Sequence, residues 1–442
     1  MNKKIIFGAA TSSYQIEGSI YADDACSSNW HEYASIPGKV KDESNGAITC
    51  DSYHHFREDI KLLKDLGFNA YRFSVSWSRI ISSANGKVNK KGISFYDKLV
   101  DTLLKNNITP YLTIFHWDLP IWLSALGGWS NRDTAYMFRD YAAVLFNTLS
   151  DRVRNWITLN EPWSISFLGY WDGQHAPGIK GDFAQVLSTS HHQLLGHGLA
   201  LEAFHSLTSN EEGMIGISLN PMIAYPLDSN NKADMEAAVR AWDIYSAIYL
   251  DPLYKGRYPT TVMDLFERFQ PKIIKADDLK TINIKQDFLG INYYSPIIVK
   301  KDSSFLGFAH VNSHSMIKKY NCLGWPVYSA GLHDLVTRII KEFSVSQIFI
   351  TENGYPLHEN SLNGSMIEDD ERIEYLKEHI GVIFQMIEDG FPVKGYFVWT
   401  LVDNFEWAEG YKTKFGIVSI DFKTQKRTPK KSAIWFKNFL QN

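Results

Sequence analysis

The chain is poor in the residues and motifs that several function classes require. It holds three cysteines among 442 residues, Cys26, Cys50 and Cys322, odd in number and widely spread. A disulfide framework needs pairs, and a structural zinc site needs Cys or His at short fixed spacings, so neither is expected. Reduced thiols suit a reducing compartment, which makes the cytoplasm the expected location. No run of about 18 apolar residues occurs, so no helical membrane span is expected. Lys3 and Lys4 are followed by no apolar stretch long enough for a signal peptide. Positive charge is not in excess: Lys and Arg number 45 against 49 Asp and Glu, leaving a net charge of −4. That balance speaks against a nucleic-acid surface or a polybasic membrane anchor. Neither a Gly-x-Gly-x-x-Gly nor a Walker-type loop is present, and no His-Glu-x-x-His. The doublets His54-His55 and His191-His192 lack metal-ligand spacing and are read as non-functional. No metal and no cofactor are expected.

Apolar and aromatic residues, at 45% and 14%, are by contrast plentiful enough for a large core. They fall in an alternating pattern. Strand candidates are Ile5–Ala10, Ala70–Val75, Thr109–Phe115, Asn155–Asn160, Met214–Leu219, Phe288–Tyr293, the run ending at Glu352, and Val393–Leu401. Helical spacing follows each, as in Phe56–Leu66, Ala237–Leu250 and the stripe Leu332, Leu335, Val336, Ile339, Ile340 and Phe343. The stretch from Ser19 to about Asn45 reads as polar loop. Strand–helix alternation without a linker predicts a parallel sheet with helices outside. Eight such units predict an α/β fold, one (β/α)₈ barrel domain over residues 1–442, whose chemistry sits at the C-terminal strand ends.

Two strand ends carry a glutamate where the apolar run stops. Ile348-Phe349-Ile350-Thr351-Glu352-Asn353-Gly354 ends what counts as the seventh strand, and Ile157-Thr158-Leu159-Asn160-Glu161-Pro162 the fourth. A pair of strand-end carboxylates is what acid–base chemistry on a glycosidic bond requires. Other strand ends and the loops after them add Gln15 and Glu17, His116-Trp117, Asn292-Tyr293-Tyr294, Trp399 and Glu406-Trp407, and Arg72 lies within its strand. Tryptophans can pack on the C–H faces of a pyranose, while Gln, His, Asn and Glu serve its hydroxyls.

Over its whole length the chain resembles glycoside hydrolase family 1, the β-glucosidase type. The matching stretches are Phe7–Thr11 with Tyr14–Gly18, Phe115–Pro120, Leu159–Trp163, His175–Gly178, Asn292–Tyr294, Thr351–Gly354, and Asp403–Trp407 with Phe415–Val418. The resemblance implies a retaining β-glycosidase acting on β-glucosides, with β-galactosides and β-fucosides as further substrates. It implies Glu161 as acid/base and Glu352 as nucleophile, with Arg72 and Tyr294 hydrogen-bonding Glu352. It assigns Asn160 to the sugar 2-hydroxyl, and Gln15, His116, Trp399, Glu406 and Trp407 to the sugar pocket. Trp117 and Phe415 would border that pocket, and Trp325 would flank the leaving group. A cis bond is implied at Trp399-Thr400.

In a retaining enzyme the two carboxyl groups stand about 5–5.5 Å apart. The like charge of Glu352 is then expected to raise the pKa of Glu161, and Arg72 to lower that of Glu352.

The chain departs from the family pattern at Tyr328–Gly331, at Ile81–Asn85, and at Trp171, where glycine is frequent. Two rival readings are a 6-phospho-β-glucosidase and a catalytically silent sugar-binding barrel. Glu406, which would repel a phosphate, argues against the first, and Glu161 argues against the second. The expected partner is a small β-glucoside or oligosaccharide.

Overall fold

Eight of the apolar runs close into a barrel. The computed structural model describes residues 5–206, 213–358 and 367–441. The barrel strands are β1 (Ile6–Ala10), β2 (Ala70–Ser74), β3 (Thr109–Phe115), β4 (Asn155–Asn160), β5 (Met214–Leu219), β6 (Phe288–Asn292), β7 (Ile348–Asn353) and β8 (Val393–Trp399). Neighbours in the chain are neighbours in the sheet, all parallel, and β8 closes on β1 with Ile6 opposite Gly395. The main helices that follow them are Ser52–Asp65, Lys90–Lys105, Asp133–Leu149, Phe183–His205, Lys232–Trp242, Ala330–Glu342, Asp370–Glu388 and Lys431–Gln441. This is the expected (β/α)₈ architecture.

Large rings fill the barrel interior. Tyr111, Phe288, Phe349 and Phe397 are buried there with Ala10, Ala70 and Ile157. Facing positions are small, so that the layers interdigitate. A Cβ on Gly8 would lie 2.5 Å from the Phe397 ring, and one on Gly395 2.8 Å from Phe349. Any side chain at these two positions would displace an aromatic ring.

Two features bear directly on function. First, register slips occur just before the acidic strand tips, between Ile157 and Asn160 against β5 and between Ile350 and Glu352 against β6. Such irregularities re-aim the side chains that follow them. Second, the connections at the C-terminal strand ends are long. They build walls over the barrel mouth, including a three-stranded sheet of Ala224–Pro226, Ile297–Lys301 and Phe308–His310.

Several predicted bounds shift. The Ala237–Leu250 helix starts at Lys232, because the Asn231 side chain accepts from the Ala233 N–H at 3.0 Å. It passes into a π-wound turn over Asp243–Ala247 and resumes to Lys255. Within the expected polar loop, Asn29–Ala34 is helical, with Ser28 accepting from the His31 N–H. The last strand ends at Trp399, and Trp399–Thr400 is cis.

Candidate active site

The strand ends converge on an open cavity of about 940 Å³ lined by Glu161, Glu352 and Glu406 with a surround of aromatic rings. Each carboxylate has a different environment, which sets what it can do.

Glu352 is held at both oxygens. Arg72, fully buried in β2, donates from Nη1 to Oε1 at 2.6 Å. The Tyr294 hydroxyl donates to Oε2 at 2.7 Å. The guanidinium is itself fixed, donating to the Thr351 carbonyl at 3.0 Å, to Thr113 Oγ1 at 3.2 Å and to Asn160 Oδ1 at 2.5 Å. Arg72 thus ties β2, β3, β4 and β7 together beneath one carboxylate.

Among the described residues, no cation contacts the Glu161 oxygens. Glu161 accepts from Asn292 Nδ2 at 2.7 Å and from Ser164 Oγ at 2.7 Å, and Asn220 in turn donates to Ser164 at 3.1 Å. The Asn292 amide is oriented from behind, its Oδ1 accepting from the Thr351 and Ser218 hydroxyls at 2.7 and 2.9 Å. Its Nδ2 also reaches Asn160 Oδ1 at 3.0 Å.

Burial pushes Glu161 up, and the nearby Glu352 charge adds to it, to about 7. Like charge was expected to be the cause; desolvation is the larger one. Burial also raises Glu352, against the pull of Arg72, Tyr294 and Asn292. The expected lowering by Arg72 is therefore present but outweighed, because both partners are almost wholly removed from water. Glu406 is raised to about 8 by burial and by Glu352, against hydrogen bonds from Trp399 and Gln15. Burial, with the Arg72 charge behind it, holds His116 well below its usual range, so its imidazole is neutral.

Of the sequence-predicted residues, His116, Trp117, Glu161, Tyr294, Trp325, Glu352, Trp399, Glu406, Trp407 and Phe415 all line the cavity. Gln15, Arg72 and Asn160 are fully buried behind it. Gln15 spends its amide on Asn404 Oδ1, the Phe405 carbonyl and Glu406 Oε2, at 3.1, 3.0 and 3.3 Å. Asn160 Nδ2 lies 3.0 Å from His116 Nε2, and among the described residues His116 Nδ1 has no hydrogen-bond partner. The rings form a continuous wall: His116 stacks on Trp399 at 5.7 Å and on Trp407 at 6.1 Å, and Trp117 meets Trp407 at 4.6 Å. Trp325, 37% exposed, stands at the mouth, edge-on to Tyr294.

Three lining residues are non-glycines with left-handed backbone: Trp117 (φ 79°), Glu161 (φ 46°) and Trp407 (φ 50°). Strain of that kind persists only where the surroundings over-determine it, and it clusters at functional sites.

Sequence reasoning quoted Asn292 as a strand end but gave it no role, and it missed Ser164 and Asn220. The sequence signals for Asn292 are its place at the tip of β6 and the family-matching stretch Asn292–Tyr294. Conversely, Glu17 turns away from the cavity, accepting from Arg79 Nε at 2.7 Å and from the Tyr96 hydroxyl at 2.8 Å. His191 bridges Tyr258 and Asp278, and His192 meets the Trp129 carbonyl, both as buried structural groups. Among the described residues, no three His, Cys, Asp or Glu side chains group as a metal site.

This geometry can be set beside known proteins. The family model for glycosyl hydrolase family 1 matches residues 1–442. The chain belongs to glycosyl hydrolase family 1. A 1,4-beta-D-glucan glucohydrolase of Thermotoga neapolitana is 41% identical over 439 residues, covering 99% of this chain and 97% of that protein. Beta-glucosidase A of Thermotoga maritima is 41% identical, with the same coverage. The solved family 1 β-glucosidase from Thermotoga maritima superposes with a TM-score of 0.94 at 39% identity, covering 100% of this chain and 98% of that one. In this family 1 chain the acidic strand tips, the aromatic wall and the Arg72 anchor stand on a barrel that superposes on that of the solved family 1 β-glucosidase.

Proposed function

We propose that this family 1 chain is a retaining β-glucosidase that removes terminal non-reducing β-D-glucosyl residues. β-Galactosides and β-fucosides are further substrates, and cellobiose-type disaccharides are among the natural ones. We read residues 1–442 as one catalytic domain working without a cofactor. Support comes from the relatives named β-glucosidase. It comes above all from one observation: two carboxylates share a cavity, one gripped by a cation and a phenol, the other held only by neutral donors.

Glu352, ionised and aimed by Arg72 and Tyr294, attacks the anomeric carbon. The bond from that carbon to the leaving oxygen breaks, and protonated Glu161 gives that oxygen its proton. The pKa of about 7 keeps Glu161 largely protonated in mildly acidic solution, as the first step needs. In the second step ionised Glu161 takes a proton from water, whose oxygen displaces Glu352 from the anomeric carbon. Two inversions give net retention. Asn160 is assigned to the sugar 2-hydroxyl, and His116, Gln15, Glu406 and the Trp399–Trp407 wall to the remaining hydroxyls and faces.

Glu406 favours a neutral sugar over a 6-phosphorylated one: its carboxyl beside Gln15 exchanges hydrogen bonds with sugar hydroxyls, and where it ionises it repels phosphate. The compartment we infer is the cytoplasm, consistent with three free cysteines.

The test is proton NMR of 4-nitrophenyl β-D-glucoside hydrolysis. β-Glucose appearing first, then mutarotating, is expected. α-Glucose first contradicts the nucleophile role, and cleavage of only the 6-phosphate analogue moves the protein to the phosphorylated class.

A further inference from the structure

Side chains along β7 alternate between the two faces of the barrel wall until they reach Glu352. Phe349 is buried in the barrel interior, and the Thr351 hydroxyl meets Ser218 and Asn292 there. Ile348 and Ile350 belong to the outer core under the helices. A strict period of two would turn Glu352 outward and Asn353 into the mouth. The observed order is the reverse. Glu352 meets Arg72 and Tyr294 in the cavity, and Asn353 is fully buried on the outer face beside Tyr396 of β8. The reversal comes from the register slip: Ile350 stands opposite Tyr396 and Asn353 opposite Val398, three steps on β7 against two on β8.

A bulge disrupts the ladder locally and has to be held by something other than the ladder. The Asn353 amide supplies that hold. Its Nδ2 donates to the Tyr293 carbonyl at 2.7 Å and to the Tyr375 hydroxyl at 2.9 Å, and its Oδ1 accepts from the Tyr396 hydroxyl at 3.0 Å. Both amide hydrogens are used, so the side chain has one orientation.

Tyr375 comes from the helix Asp370–Glu388, outside the barrel. Its hydroxyl accepts from Asn353 and donates onward to the Tyr294 carbonyl at 3.1 Å. Its ring stacks on His379 at 3.8 Å, and His379 Nδ1 lies 2.8 Å from the Tyr375 carbonyl. A closed circuit results. It runs from Glu352 along the chain to Asn353, through the Tyr375 hydroxyl to the Tyr294 backbone, and from the Tyr294 hydroxyl back to Glu352 Oε2 at 2.7 Å. Asn353, Tyr375 and Tyr396 are buried to within 2%, so water does not replace a bond lost among them. They stand outside the cavity's lining and reach the chemistry only through other residues.

We propose that Asn353, Tyr375 and Tyr396 are positioning residues for the nucleophile: they pin the β7 bulge from outside the barrel, and the Tyr375 hydroxyl sets the Tyr294 phenol against Glu352. Glu352 faces the Arg72 cation, the Tyr294 phenol and the Glu161 and Glu406 carboxyls, and of these the circuit holds Tyr294. A loosened Tyr294 donates less well to ionised Glu352, so the loss of the Tyr375 hydroxyl acts in the same direction as the loss of the Tyr294 hydroxyl. This inference rests on the β-glucosidase reading above, in which Glu352 attacks.

The experiment measures kcat/KM for 4-nitrophenyl β-D-glucoside against pH in the wild type, Tyr375→Phe, Tyr294→Phe and the double variant, with Tm for each. Tyr375→Phe is expected to lower the optimum about two- to tenfold, the loss of a neutral hydrogen bond, and to move the acid limb to higher pH. In the Tyr294→Phe background the same change should move that limb little further, because its route to Glu352 is already gone. Tyr396→Phe, which removes one bond to the Asn353 amide and leaves Tyr375 in place, should shift the limb the same way by less, and it carries the test if Tyr375→Phe does not fold. An acid limb that stays put while Tm falls, or shifts that add in full across the double variant, overturns the positioning role while the β-glucosidase reading stands. A wild type with no activity on the glucoside overturns both.

Discussion

Replacing Tyr294 by Phe tests the electrostatics of the site with one atom. The lost hydroxyl is the donor to Glu352 Oε2 at 2.7 Å, while Arg72 still serves the other oxygen at 2.6 Å. Glu352 is only 3% exposed, so water cannot fully take the hydroxyl's place. A hydrogen bond to a charged acceptor contributes about 1.5–3 kcal/mol, and one pKa unit is about 1.4 kcal/mol. The bond serves the ionised form, so its loss raises the Glu352 pKa further.

The sign follows from the role. Glu352 must be ionised to attack, so the acid limb of the kcat/KM profile follows its pKa and moves to higher pH. The basic limb follows Glu161, near 7. A less ionised Glu352 repels the Glu161 charge less, so that limb moves slightly down. The two limbs belong to the coupled pair, and the bell narrows from both sides. The height at the optimum should drop roughly ten- to a hundredfold. The assay is kcat/KM for an aryl β-glucoside across mildly acidic to mildly basic pH. An acid limb that stays put, or moves to lower pH while activity falls, would refute the claim that Tyr294 holds Glu352 ionised.

Three further outcomes are expected. Glu161→Ala should cost about 10²–10⁴-fold on alkyl β-glucosides and far less on substrates with strongly acidic phenol leaving groups, and azide should restore turnover by forming β-glucosyl azide; equal losses on both leaving-group types would remove the acid role. Glu161→Gln should raise Tm, and the rise should depend on pH. The group is neutral in both folded and unfolded chains below about 4.5, and it carries its full burial cost once pH passes its folded value of about 7. The rise in Tm should therefore be larger at about pH 8 than at about pH 4, and the reverse order in a thermal scan would contradict the burial argument. Lys430→Met leaves Asp403, otherwise paired at 2.9 Å in the interior, as an uncompensated buried charge. A loss of about 3–5 kcal/mol in denaturant unfolding is expected, partly recovered by adding Asp403→Asn, and a loss well under about 1 kcal/mol would show that the pair does little for the fold.

The sequence made the barrel legible because each strand is a short apolar run punctuated by turn residues, and each helix keeps its own period. Glu161 and Glu352 were legible for the same reason: an acidic residue directly after such a run cannot be core. Arg72 was harder. A buried arginine inside a strand has meaning only once β4 and β7 bring Asn160, Thr351 and Glu352 around it, and barrel closure is a non-local event. Asn292 went without a role because its orientation depends on hydroxyls from β5 and β7. The register slips before Glu161 and Glu352 have no local signature, since they arise from pairing with neighbouring strands. The Asn29–Ala34 helix was hidden by its shortness and by the polar residues around it. Gln15 was assigned to the sugar pocket by resemblance; its full burial behind Glu406 reflects how the loop after β8 folds back on the loop after β1.

The most direct measurement is mass spectrometry of the protein after incubation with a 2-deoxy-2-fluoro-β-glucosyl fluoride. The fluorine at C2 destabilises both transition states, while the fluoride leaving group keeps the first step fast enough for the glycosyl-enzyme to accumulate. The account predicts one added fluoroglucosyl group, located by peptide mapping on Glu352, and none in Glu352→Gln. Labelling at Glu161 or at another residue, or turnover with no adduct and an inverted product, would contradict it.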